Sequence, residues 1–142
     1  MDKLIRNGSV VTPEGVIDAD VHIRGELIHA VGPNLTAEKV ELIDAAGLLV
    51  LPGGIDVHTH LDLDVGFARS SDDWYTGTVA AACGGTTTVI DHPAFGPDGC
   101  SVFHQIDAYH ELADGKAVID YGFHGVLQHV NDQVINDLRG LV

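Results

Sequence analysis

Basic side chains are scarce in this sequence. Seven Lys and Arg stand against 21 Asp and Glu, for a formal charge of −14. A phosphate-binding surface needs clustered cations, so nucleic acid and anionic membranes are poor partners. Cysteine is also sparse: Cys83 and Cys100 are the only two, too few for a disulfide framework. No apolar run approaches the roughly 20 residues of a membrane helix. The opening MDKLIRNGS holds no apolar signal core. These absences predict a cytoplasmic chain with reduced thiols. A Gly-x-Ser-x-Gly elbow for a serine nucleophile is missing, as are internal repeats and low-complexity tracts. What is plentiful is carboxylate, glycine (17 residues) and histidine (nine). With 45% hydrophobic residues over 142 positions the chain can bury a sizeable core and is not disordered overall.

Two patterns divide the chain. Residues 1–50 read as short strands and tight turns. Leu4 to Val11 is apolar and β-branched, and Thr12-Pro13-Glu14-Gly15 is a turn. Val16 to Ile23 alternates, with Val16, Asp18, Asp20 and His22 on one face and Ile17, Ala19, Val21 and Ile23 on the other, which predicts a half-buried strand. Arg24-Gly25-Glu26 turns it into Leu27–Val31, and Glu41–Asp44 is a further strand. This first part is expected to be a small antiparallel β unit. From residue 51 strands alternate with helices: a strand over 54–60, a helix capped by Ser71-Asp72-Asp73 and running to Ala82, and a strand over 86–90. A helix over 102–116, a strand over 117–123 and a helix over 131–138 follow. Such alternation predicts parallel strands with crossover helices. Ninety residues suffice for about three of the eight units of a (β/α)8 barrel.

Chemistry concentrates in Gly53-Gly54-Ile55-Asp56-Val57-His58-Thr59-His60. Side chains two apart on a strand share a face. His58 and His60 can therefore converge on one cation at the strand's carboxyl end, where barrels and open α/β sheets build their sites. A bare His-x-His pair is close to chance expectation; the apolar strand, the Gly-Gly lead-in and the position at the strand's end give it weight. Two ligands do not complete a site, since catalytic zinc takes three protein ligands. Gly84-Gly85 follows a helix and precedes a strand, the reverse of a phosphate loop, and reads as a helix C-cap. Cys83 reads as a helix-packing residue. His104 and His110 fall on an outer helix face, and His22, His29 and His129 read as structural or surface residues.

The segment Pro52 to His60 resembles the first barrel strand of the cyclic amidohydrolases. Thr76 to Ala82, Gly84-Gly85-Thr86-Thr87-Thr88-Val89-Ile90-Asp91 and Ala117 to Gly125 narrow the resemblance to the hydantoinase and dihydropyrimidinase branch. Asp62 occupies a position where a dihydroorotase would carry Arg. The resemblance implies an α/β fold: the N-terminal portion of a small β-sandwich (1–50), then the first three βα units of a metal-dependent (β/α)8 TIM barrel, truncated (51–142). It implies a binuclear centre, two zinc ions in the full-length enzyme, with His58 and His60 as metal ligands. The carboxylated lysine, later His and acid/base Asp of the family are not on this stretch, so no catalytic residue is assigned here. The implied reaction is hydrolytic ring opening of a small cyclic amide to an N-carbamoyl amino acid, by a homotetramer. On this reading the chain is an N-terminal fragment; the alternative is a truncated or non-enzymatic relative. Leu63, Val65 and Phe67 are expected beside the substrate's exocyclic group. His92 and His124, at strand ends, are candidates for a pocket role, and Asp91 for support of the metal ligands.

Overall fold

The structure is a computed structural model and describes residues 1–127 and 129–140. It contains two compact units, Met1–Pro52 and Gly53–Val142.

The first unit is one mixed sheet. Strands β1 (Lys3–Thr12), β2 (Gly15–Arg24), β3 (Leu27–Gly32) and β4 (Glu41–Asp44) lie in the order β3-β2-β1-β4, and β5 (Leu49–Val50) also pairs with β1. The β1–β2 and β2–β3 pairs are antiparallel hairpins, whereas β4 and β5 run parallel to β1. The expected purely antiparallel unit is thus corrected to a mixed one, because the chain returns to the free edge of β1 in the same direction. The Asn7-Gly8 step does not turn the chain. It makes a bulge in β1, with Asn7 in the left-handed region (φ 62°). A side chain at Gly8 would stand 2.6 Å from Val50 Cγ2, so glycine lets β5 approach.

The alternation expected over Val16–Ile23 fails in its second half. Ala19, Asp20, Val21 and His22 are all buried, so both faces are covered there. Ala19 and Val21 pack with Val10. Asp20 is buried because its carboxylate has work for both oxygens. Oδ1 accepts from the Asn7 amide at 3.1 Å, Oδ2 accepts from the Leu35 amide at 3.0 Å, and Arg6 lies 3.8 Å away.

The second unit is a three-stranded parallel sheet in the order β6-β7-β8, from β6 (Gly54–Thr59), β7 (Thr86–Asp91) and β8 (Asp120–Phe123). Helices α1 (Trp74–Cys83), α2 (Val102–Ala113) and α3 (Asp132–Gly140) each follow a strand. The N-cap of α1 is Asp73 rather than Ser71. Asp73 Oδ1 accepts from the Thr76 amide at 2.7 Å, and Thr76 Oγ1 accepts from the Asp73 amide, closing a capping box. The Thr76 amide, and Thr76 Oγ1–H donating to Oδ1 at 2.9 Å, hold the Asp73 carboxyl below its ordinary value. Gly84 caps the other end, as expected. Cys83 is exposed, which corrects its reading as a packing residue. Helix α2 stops at Ala113, and β8 begins only at Asp120. Its N-cap Ser101 is joined by Asp137 of α3, whose carboxylate accepts from Ser101 Oγ at 2.7 Å and the Val102 amide at 3.2 Å.

The core of this unit is aromatic. Trp74, fully buried, packs with Leu61, Val89, Tyr109 and Ala113, and its ring lies 5.2 Å from Tyr121 and 5.7 Å from Phe123. Helix α2 turns Val102, Tyr109 and Ala113 inward and leaves Phe103 37% exposed. Among the described residues, no helix is long and apolar enough to cross a membrane.

Candidate metal centre

The site forms where the parallel sheet ends. β6 stops at Thr59, so His58 lies on the strand and His60 one residue beyond it. Both imidazoles are exposed, and their Nε2 atoms are 3.2 Å apart. His60 Nδ1 lies 3.2 Å from the carbonyl of His92. A carbonyl only accepts, so Nδ1 carries the proton and the Nε2 of neutral His60 presents a lone pair. The tautomer required of a metal ligand is thus set by a backbone oxygen. Without a cation, His58 Nε2–H donates to that lone pair.

The pair fits a metal. Two nitrogens on one tetrahedral zinc, at about 2.0–2.1 Å each, stand about 3.3 Å apart, close to the separation found here. Two neutral imidazoles also suit zinc by type. Among the described residues no group of three His, Cys, Asp or Glu is placed to hold a metal.

Two more histidines join the cluster. His92 stacks between His58 and His124, with ring centroids 4.0 Å from each. Loss of hydration, then the neighbouring His124, His58 and His60, hold the His92 imidazole below its ordinary value. His124 Nε2–H donates to the carbonyl of Val57 at 2.8 Å, which the irregular pairing of β6 leaves free of the ladder. Below them lies Asp91, fully buried. Burial pushes its carboxyl up, against the bonds it accepts from the Leu61 amide and Thr59 Oγ1. Its second oxygen and His92 Nδ1 are buried without hydrogen-bond partners among the described residues.

Beside His60 opens a cavity of about 510 Å³, lined by Leu63, Val65, His92, Phe95 and Val126 among others. Leu63 and Val65, expected beside the substrate's exocyclic group, are on the cavity wall. Phe67 does not: it is 93% exposed and outside the cavity, which corrects that expectation. The reason is local, since the Asp64–Arg69 bridge folds the loop back and turns its tip outward. Asp62 has a structural task. It is buried with φ 52°, and its carboxylate accepts from Arg69 Nη2 at 2.6 Å and the Trp74 amide at 3.3 Å. His104 and His110 are exposed on α2, and His29 is exposed on β3, whereas His22 is buried.

A profile described as "Amidohydrolase family" matches residues 49–134. The chain belongs to the amidohydrolase family. Its relatives within that family are hydantoinases and dihydropyrimidinases. It is 50% identical to D-phenylhydantoinase of Escherichia coli O17:K52:H18 (strain UMN026 / ExPEC), over 100% of this chain and 31% of that protein. The crystal structure of dihydropyrimidinase from Brevibacillus agri NCHU1002 superposes with a TM-score of 0.94 at 49% identity, covering 99% of this chain and 30% of that one. D-hydantoinase (dihydropyrimidinase) from Thermus sp. does so at 0.89 and 33%, covering 99% and 31%. The chain thus spans about 31% of the length of the curated relatives it matches. The amidohydrolase fold class expected from the sequence, a β unit followed by parallel βα units, is the one these structures share.

Proposed function

We propose that this chain is the N-terminal part of a metal-dependent cyclic amidase that opens hydantoin or dihydropyrimidine rings to N-carbamoyl amino acids. The observation that carries the reading is the His58–His60 pair, its Nε2 atoms at zinc-ligand spacing at the end of a parallel strand. In the full-length enzyme these two nitrogens would hold one of two zinc ions, and the remaining ligands and the acid/base group would come from sequence beyond residue 142. When bound, such ions supply Lewis acidity and make water acidic enough to attack a ring carbonyl at neutral pH.

This chain's own residues prepare the place for that chemistry. His60 is held with Nδ1–H on the His92 carbonyl and its Nε2 lone pair outward. Leu63, Val65 and Phe95 offer an apolar wall beside it for the ring's exocyclic substituent. Residues 1–50 would contribute to a β-sandwich domain and residues 51–142 to the barrel, in a cytoplasmic homotetramer.

The test is an intact mass of the native protein from its source cells, followed by ring-opening assays on phenylhydantoin and dihydrouracil. The expected result is a chain about three times as long as this one that opens at least one of the two rings. A full-length, zinc-loaded protein that opens neither ring contradicts the proposal and favours a non-enzymatic relative.

A further inference from the structure

We infer that the Asp91-His92 dipeptide at the end of β7 is the positioning element for the His58–His60 pair, with the buried Asp91 carboxylate at its centre. The inference takes from the proposed function only what the pair holds; how the pair is held stands on its own geometry.

His60 lies one residue past the end of its strand, where the ladder no longer restrains it. An imidazole there would be free to rotate, and a metal would have to order it at an entropic cost. Instead four hydrogen bonds from Asp91 and His92 fix the tripeptide Thr59-His60-Leu61. Asp91 Oδ1 accepts from Thr59 Oγ1 at 2.7 Å and from the Leu61 amide at 2.8 Å, one residue on either side of His60. The His92 amide donates to the Thr59 carbonyl at 3.0 Å. The His92 carbonyl accepts from His60 Nδ1 at 3.2 Å. The His92 ring, stacked on His58 at 4.0 Å, restrains the other member of the pair.

Placement argues that this grip is directed. Asp91 is 0% exposed, and a buried carboxylate is costly to keep. Both side-chain bonds it receives come from the segment that carries His60, and none comes from its own strand. Asp91 is a positioning residue: it acts through Thr59 and Leu61 on the direction of His60.

The experiment uses the native full-length chain and its Asp91→Ala, Asp91→Asn, Thr59→Val, Thr59→Ser and His58→Ala/His60→Ala variants. Zinc affinity is measured by chelator competition, and ring positions are read from crystal structures of the metal-free proteins. Asp91→Ala is expected to weaken zinc binding 10- to 100-fold and to open the His60–His92 hydrogen bond. Asp91→Asn keeps an oxygen in place of Oδ1 and should restore both. Thr59→Val should show a smaller loss that Thr59→Ser repairs, and this pair decides the matter if Asp91→Ala does not fold. A merely structural Asp91 would lower thermal stability and leave zinc affinity and the His60 ring unchanged; that result overturns the inference. If His58→Ala/His60→Ala keeps its zinc, the metal reading fails, and the metal-free ring positions alone decide whether Asp91 positions His60.

Discussion

Tyr121 shows how one contact sets the behaviour of a single group. Its hydroxyl donates to the Asp114 carboxylate, and His110 Nδ1 lies 3.1 Å from the Tyr121 hydroxyl oxygen. The bond to Asp114 pushes the phenol up to about 12 from 10.0. A raised folded-state value means that the bond's stabilisation is complete below the unfolded phenol's value and is lost as pH climbs through about 12. Asp114→Asn should return one tyrosine to ordinary titration, read as tyrosinate absorbance against pH; an unchanged curve contradicts the assignment. Trp74 makes a second case. It is fully buried, yet its indole Nε1 has no hydrogen-bond partner among the described residues. Its contribution is therefore packing, and Trp74→Ala should cost about 3–5 kcal/mol. Trp74→Phe should cost clearly less, because no bond is lost; equal losses in denaturant melts would show that the indole nitrogen matters. At this scale the sequence shows the His58–His60 pair through its spacing on an apolar strand. It offers Asp91, His92 and His124 only as candidates at strand ends and does not show their contacts with the pair. Asp91, His92 and His124 lie 30 or more positions away, and only the parallel pairing of β6, β7 and β8 brings them together.

Among elements, α1 depends on a close approach. A Cβ at Gly77 would stand 2.4 Å from Leu61 Cδ2 and 3.4 Å from Asp72 Cβ. Alanine would gain about 1 kcal/mol of helix propensity. Overpacking a buried cluster costs about 1–3 kcal/mol. Leu61 is locked in the core with Trp74, so the second effect wins. Gly77→Ala should destabilise by about 1 kcal/mol net in thermal melts, and a stabilised variant would show that Leu61 can move aside. The boundaries of the elements were partly legible. The Gly84 stop and the 102 start follow from local chemistry, since a C-terminal glycine and a Ser cap act within a few residues. The choice of Asp73 over Ser71 as N-cap was not legible, because three consecutive cap formers compete and Thr76 decides by closing the box. The two-sided burial of β2 at residues 19–22 was hidden for a longer-range reason. Asp20 and His22 look like a solvent face until Asn7 and Leu35 are seen to bring their amides to Asp20.

For the whole molecule, the three-stranded parallel sheet leaves apolar side chains uncovered. Ile55 and Val57 of β6 are 63% and 58% exposed, and among the described residues β6 and β8 each pair only with β7. Open strand edges beside apolar surface invite association. The 142-residue chain expressed alone should therefore self-associate, measured by light scattering during size-exclusion chromatography; a stable monodisperse monomer would contradict this. The change of pattern near residue 50, from hairpins to alternating strands and helices, was legible because periodicity reports it directly. The mixed character of the first sheet was not, because the direction in which β4 and β5 return to β1 depends on loop paths that no local signal encodes.

The role proposed for His58 and His60 is to hold a catalytic metal. Zinc stoichiometry of the native full-length protein and of His58→Ala/His60→Ala, by elemental analysis after gel filtration, tests it most directly. About two zinc ions per chain are expected in the native protein, with a clear loss in the double variant and ring-opening activity that falls with it. Zinc content and activity that survive removal of both imidazoles would contradict it.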